Sequence, residues 1–362
     1  MVKHTAQREF EGWKEFCSRP LQERLPLFSR DGRIYDVLFS QQFNRPFLDF
    51  LYGLTNRIRR IAKSREGMIW LHKLHAHQRA MLYFVQPSTR TFLSFLNACH
   101  ILGFHTSEIR DPQTSSEIKG ESPEDSIRTF SSYVDLIIMR HPQEGFAEKT
   151  AWLLNDFSDR PVPVINAGSG RDQHPTQALL DVYTLQRSFE EIGGIDGKVI
   201  AMVGDLNRGR TVRSLSYLMK NYNGVKILYA APPAFQIGED IREFLQSHGI
   251  HYEEHDSLES VLPEADAIYM TRIQDEHDVK GESQSEYEAF SLGKEHLARM
   301  KPHAIIMHPL PRRGEIDVMV DKDPRAVYWR QERNGMWTRT ALLAVIFGTD
   351  EKIEAEGDLF LS

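Results

Sequence analysis

Seven short apolar runs constrain the fold of this chain more than any other feature: MLYFV (81–85), VDLIIM (134–139), VPVIN (162–166), KVIAMVG (198–204), VKILYAA (225–231), DAIYM (266–270) and HAIIM (303–307). Each is too short for a buried helix and rich in the residue types that fill a strand covered on both faces. Helical stretches separate most of them, and ahead of the first run Phe47, Phe50, Leu51, Leu54 and Ile58 recur at helical spacing within 44–63. Strands alternating with helices give the α/β class, with parallel sheets covered by helices.

The stretch SFEEIGGIDGK (188–198), with three glycines, breaks the alternation and marks a domain boundary. The expectation is two doubly wound parallel-sheet domains, 41–187 and 188–335, with the active site in the cleft between them. Residues 1–40 read as a surface extension of short helices and loops. MWTRTALLAVIFG (336–348) reads as an amphipathic helix packing back on the first domain.

A net charge of −7 gives no reason to expect nucleic acid or an acidic membrane as partner, so any basic site must be local. Two cysteines, Cys17 and Cys99, make neither a disulfide framework nor a zinc site, which suits a reducing compartment. The segment MVKHTAQREFEGWKEF has no apolar signal core, and no run of about 18 apolar residues occurs. A cytoplasmic location is expected.

In open parallel sheets ligands sit at the carboxyl ends of strands, so the residues following each apolar run report on function. Those endings are QPSTRT, RHP, AGSGRDQHPTQ, DLNRGRT, TRIQ and HPLPRRGE. Arg, His, Gln, Ser and Thr recur, which indicates one polar, cationic site. At the first ending Pro87 closes the strand, and Ser88 or Thr89 can cap a helix whose stripe carries Leu93, Leu96 and Cys99. A helix N-terminus presents free N–H groups and partial positive charge, and Arg90 adds a planar fork that grips oxygens in pairs. A solvated arginine beside a plain cap is the bland alternative; the position directly after a buried strand favours an anion.

SSEIKGESPEDSIRTF holds a polar loop with Ser115 and Lys119, then a helix start at Ser122-Pro123-Glu124-Asp125. A loop lysine alone is ordinarily a solvated charge. GDLNRGRT (204–211) nearly matches a nucleotide P-loop, but Arg210 stands where the phosphate-reaching lysine belongs, and G-x-G-x-x-G is absent from the sequence. The HAH of HKLHAHQ reads as a surface or packing feature rather than a ligand pair.

Taken in order, Ser88–Thr91, Lys119–Glu121, Arg140–Pro142, His174–Gln177, Gly204–Thr211, Thr271–Gln274 and His308–Arg312 resemble the motif series of the aspartate carbamoyltransferases within the aspartate/ornithine carbamoyltransferase family. The likeness covers roughly residues 40–348. Ornithine enzymes of this family carry H-C-L-P and S-M-G segments, where this chain has HPLP and TRIQ. Arg210 and Arg272 would repel a cationic co-substrate and suit a dicarboxylate.

The resemblance implies transfer of a carbamoyl group from carbamoyl phosphate to the α-amine of L-aspartate, a step of pyrimidine synthesis, with neither cofactor nor metal. The two substrates bring about four negative charges, and Arg90, Lys119, Arg140, Arg210 and Arg272 answer them. By resemblance Ser88, Thr89, Arg90 and Thr91 hold the phosphate. Thr91, Arg140 and His174 donate to the carbamoyl oxygen, with His174 acting as donor rather than general base. Gln177 and the carbonyls near Pro309 and Leu310 orient the carbamoyl amide. Arg210, Arg272 and Gln274 take the carboxylates of aspartate, with Lys119 and Leu310 beside them.

Arg90, Thr91, Lys119, Arg140, His174 and Gln177 form the implied catalytic set. Ser115 and Lys119 would come from a neighbouring copy in a homotrimer, and regulatory partner chains stay open. So do a carbamoyltransferase for another amino acid and a catalytically silent binding protein. Two positions depart from the family pattern: Gln86 replaces a glutamate, and Phe92 replaces an arginine and is expected to pack against a neighbouring subunit. The segment DEHDVKGESQSEYEAFSLG (275–293) is expected to be a flap beside the aspartate site.

Overall fold

The computed structural model of the chain describes residues 12–111, 120–156, 160–170, 173–272 and 289–360. It divides into two compact units: the first comprises Met1–Gln42, Gly53–Thr176 and Arg339–Ser362, the second Phe43–Tyr52 and Gln177–Thr338.

The first unit is built on strands β1 (Arg79–Tyr83), β2 (His105–Ile109), β3 (Leu136–Met139) and β4 (Val164–Asn166), ordered β2-β1-β3-β4 and all parallel. The apolar runs supply β1, β3 and β4. Strand β2 has the sequence HTSEI and escaped the apolar-run criterion, because an edge strand needs little apolar surface. Helices follow the strands at Thr89–Leu102, Pro123–Ser131 and Phe146–Asp156. The helix Thr89–Leu102 starts at Ser88 and stops at Gly103, whose φ of 92° lets its N–H reach back to the Cys99 and His100 carbonyls. Its buried face carries Phe92, Phe95, Cys99 and Leu102. Of the stripe assigned from sequence, Cys99 is buried and Leu96 half-buried, but Leu93 is 47% exposed.

The reading of residues 1–40 as a surface extension is corrected by the core for the described residues 12–40. Phe16, Phe28 and Leu38 are buried in one cluster with Tyr83, Met139 and Trp152, with Trp13 packed against it. Each such buried side chain is worth about 1.5–3 kcal/mol. Val37 prolongs the sheet beyond β4: its N–H donates to the Val164 carbonyl (2.8 Å), and its carbonyl accepts from Asn166 N–H (2.8 Å). Sparse aromatics between charged residues hid this role, since no periodic pattern joins them.

The second unit contains β5 (Val199–Val203), β6 (Lys226–Ala230), β7 (His251–His255), β8 (Ala267–Met270) and β9 (Ile305–Met307), ordered β9-β8-β5-β6-β7 and again all parallel. β7, HYEEH, is the second polar edge strand. Ala201, Val203, Leu228, Ile268 and Ile306 form its core, joined by Phe290 and Leu292. The end of the expected flap is therefore core; its residues 275–288 lie outside the described ones.

The last long helix, Tyr328–Ile346, is not amphipathic where the sequence suggested it: residues 338–345 are all buried. Arg339 is tolerated there because it donates to Ser94 Oγ (2.7 Å) and lies over the Phe95 ring at 4.8 Å. Among the described residues no helix is long and apolar enough to cross a membrane.

Candidate functional site

Strand order locates the functional ends. In the first unit the order reverses between β1 and β3, and in the second between β5 and β8; the connections leaving such neighbours run opposite ways and leave a crevice outside the carboxyl ends.

At the first reversal, β1 leads to Ser88–Thr91 and β3 leads to Arg140. Ser88 occupies the N-cap position of the helix with no side-chain cap bond, so the cap expected of its hydroxyl is not made. Arg90 is half-buried, Thr89 exposed and Thr91 buried. Arg140 is anchored by its backbone: its N–H donates to the Tyr83 carbonyl (2.8 Å), and its carbonyl accepts from Gln86 N–H (3.1 Å). Its guanidinium donates to the Ala167 carbonyl at 3.3 Å. His174, just before the helix Pro175–Ser188, is buried with Nε2 3.4 Å from Thr91 Oγ1.

Gly168 lets Arg140 and His174 approach the same backbone. Its φ is 96°, and a Cβ there would stand 2.7 Å from His174 Cδ2 and 2.9 Å from Arg140 Nη1. Asn166 holds the turn: its Oδ1 accepts from Gly168 N–H (2.9 Å) and Ser169 N–H (2.8 Å). Asn166 and Gly168 were missed in the sequence, although Asn two residues before Gly at a strand end is a turn signature. Thr91, Arg140 and His174 thus meet around one turn, each presenting a donor.

In the second unit Gly204 and Thr271 touch across the β5–β8 reversal. Thr271 donates its N–H and its hydroxyl to the Val203 carbonyl, both at 2.8 Å, and a Cβ on Gly204 would strike the Thr271 carbonyl at 2.4 Å. Arg210 opens the helix Arg210–Leu218, and Arg272 follows Thr271; both are half-buried.

At the end of β9, His308 Nδ1 accepts from Leu310 N–H (2.7 Å), so Nε2 carries the proton toward Glu315 Oε1 (2.7 Å). Leu310 has a φ of 50° and precedes a cis proline, Pro311. Pro309 and Leu310 are half-buried. Gln177 donates from Nε2 to Asp181 Oδ1 at 3.0 Å. Ser115, Lys119 and Gln274 lie outside the described residues.

The expected subunit contact of Phe92 is replaced by packing within its own unit. Its ring is edge-on to Phe84 at 5.4 Å, and the Arg110 guanidinium covers it at 4.4 Å. In the HAH segment His75 is buried and stacks on Phe104 at 4.7 Å.

Two parallel-sheet α/β units with cationic, hydroxyl-rich strand endings at their reversals define a protein built to handle small anions. Comparison with known proteins makes this specific. Residues 36–187 match the family described as aspartate/ornithine carbamoyltransferase, carbamoyl-P binding domain, and residues 196–346 its Asp/Orn binding domain. The chain is 41% identical over 331 residues to the chloroplastic aspartate carbamoyltransferase 1 of Pisum sativum, covering 90% of this chain and 82% of that protein. It is 42% identical over 266 residues to the aspartate carbamoyltransferase catalytic subunit of Thermoplasma volcanium, covering 73% and 84%. The catalytic subunit of M. jannaschii aspartate transcarbamoylase superposes with a TM-score of 0.77 at 34% identity, covering 88% of this chain and 99% of that one. The Trypanosoma cruzi aspartate transcarbamoylase bound to N-(phosphonacetyl)-L-aspartic acid gives 0.77 at 33% identity, covering 86% and 95%. The chain belongs to the aspartate/ornithine carbamoyltransferase family.

Proposed function

We propose that this chain transfers the carbamoyl group of carbamoyl phosphate to the α-amine of L-aspartate, yielding N-carbamoyl-L-aspartate and phosphate. The observation that carries the reading is the gathering of Thr91, Arg140 and His174 around Gly168, three donors fit for one carbonyl oxygen.

As the amine attacks, the new C–N bond forms and negative charge grows on the carbamoyl oxygen. Donors already aimed at that oxygen stabilise the transition state by about 3 kcal/mol each. The C–O bond to phosphate then breaks, and the leaving phosphate accepts the amine proton. Ser88, Thr89, Arg90 and Thr91 are assigned to the phosphate, where first-turn N–H groups and a full charge act together. Gln177 and the carbonyls at Pro309 and Leu310 are assigned to the carbamoyl NH2. Arg210 and Arg272, with Gln274, are assigned to the carboxylates of aspartate, and this cationic pair disfavours ornithine. Ser115 and Lys119 are assigned to the site of a neighbouring copy in a homotrimer.

The test is carbamoyl-aspartate formation by the purified full chain, with ornithine as the control acceptor. Aspartate-dependent turnover, blocked by a phosphonate–aspartate bisubstrate analogue, is expected. A folded protein that carbamoylates neither acceptor sinks the proposal, and preference for ornithine redirects it.

A further inference from the structure

Asp181 is a wholly buried carboxylate on the helix Pro175–Ser188, bonded by Gln177 of its own helix, Tyr269 of β8 and Gln331 of the helix Tyr328–Ile346. Its Oδ1 accepts from Gln177 Nε2 (3.0 Å) and from Gln331 Nε2 (2.7 Å). Its Oδ2 accepts from the Tyr269 hydroxyl (2.8 Å), which is itself hydrogen-bonded to Thr211. Gln331 turns its other end to the HPLP segment, where Oε1 accepts from His308 N–H at 2.9 Å. One carboxylate therefore links the last residue of HPTQ, the strand before TRIQ, the threonine of GRT and the start of HPLP.

The chemistry of that hub dictates which way Gln177 faces. A carboxylate only accepts, so the glutamine must offer its NH2; the reversed amide would place two acceptor oxygens 3.0 Å apart. Burial pushes the Asp181 carboxyl up to about 7; the bonds from Tyr269, Gln331 and Gln177 oppose this, and the nearby Glu332 charge adds to it. Protonation on Oδ2 leaves the orientation intact, since Tyr269 can turn its hydroxyl and accept there while Oδ1 keeps both amide bonds. In both states Oδ1 holds the same end of Gln177, and Gln177 Oε1 remains for a ligand N–H.

We propose that Asp181 is the positioning residue that locks Gln177 with its carbonyl oxygen presented to the NH2 of the carbamoyl group. This rests on the carbamoyl-phosphate reading above. Asp181 does not touch substrate; it acts through Gln177, and an incoming N–H would otherwise meet an amide free to present either end.

A kinetic double-mutant cycle between the two residues tests this in the full-length enzyme. Asp181→Leu removes all three acceptances at similar volume, and Asp181→Asn keeps one acceptor oxygen. Expected losses in kcat/KM for carbamoyl phosphate are about 30-fold and about 5-fold, within the usual range for residues in contact. With Gln177 already replaced by leucine, neither Asp181 change should cost more than about twofold. The inhibition constant of inorganic phosphate should stay within about twofold throughout, since phosphate lacks the amide that Gln177 reads. Circular dichroism establishes that each variant is folded, and should the leucine variant fail to fold, the asparagine variant carries the same cycle. Equal losses in both backgrounds, or weakened phosphate inhibition in step with them, would mean a merely structural carboxylate and overturn the proposal. Absence of turnover by the unmodified chain would instead overturn the function itself, so the two failures are distinguishable.

Discussion

Thr91 Oγ1 and His174 Nε2 lie 3.4 Å apart although 83 positions separate them in the chain. Their approach places a hydroxyl and an imidazole beside the Arg140 guanidinium, an arrangement that suits His174 for donating to an oxygen alongside them. His174→Ala should then lower kcat about 10²–10³-fold, the usual cost of one oxyanion donor. His174→Gln retains an N–H and should lose less than about tenfold. Equal collapse in both variants, measured by steady-state carbamoyl-aspartate formation, would favour general-base catalysis.

Gly168→Ala combines two costs. A positive φ of 96° strains any side-chain-bearing residue, and the new methyl would press on both His174 and Arg140. The backbone strain should cost about 1–3 kcal/mol, seen as a lower Tm. Displacement of two donors should reduce kcat by more than about tenfold. Wild-type kcat in this variant would show that the turn does not set donor positions.

How much of this was legible beforehand follows from what each residue buries. Seven strands announced themselves because a parallel strand buried on both faces is apolar throughout, as β4 and β9 are even at the ends of their sheets, while the polar edges HTSEI and HYEEH stayed hidden. Arg140, His174 and Arg272 stood out because polar endings after apolar runs are unusual in type. Asn166 and Asp181 were not found, since their work is to hold other residues and a polar residue's partners cannot be read from spacing. Phe92 was misassigned for a related reason: an aromatic ring in place of a charge looks like an external contact until Phe84 and Arg110 are seen to enclose it.

The assignment of Lys119 to a neighbouring copy has a stoichiometric consequence. Lys119→Ala and His174→Ala chains should each be nearly inactive alone. If a site takes Lys119 from one protomer and His174 from the next, each mixed trimer holds a single intact site in three. Random remixing makes about three quarters of trimers mixed, so activity should return to roughly a quarter of wild type. No recovery after subunit exchange, with mixed trimers verified by native mass spectrometry, would place both residues in one protomer.

His75 makes the stability of the fold depend on pH. It is 2% exposed, with Nδ1 bonded to Gln78 and Nε2 to Thr349 Oγ1 at 2.8 Å. Burial lowers its pKa to about 4; the Gln78 bond opposes this, and the nearby His77 adds to it. In the unfolded chain the same imidazole titrates near 6.5. The folded state thus favours the neutral ring: its contribution is whole above pH ~6.5 and is lost as pH falls toward 4, by up to ~3 kcal/mol. Urea unfolding of the wild-type chain should weaken across that window. His75→Gln cannot charge and should show a shallower decline by a comparable amount, even though its stability at pH 8 is lower through lost stacking on Phe104. Parallel stability curves for the two proteins between pH 6.5 and 4 would mean that the imidazole takes up its proton without disturbing the fold.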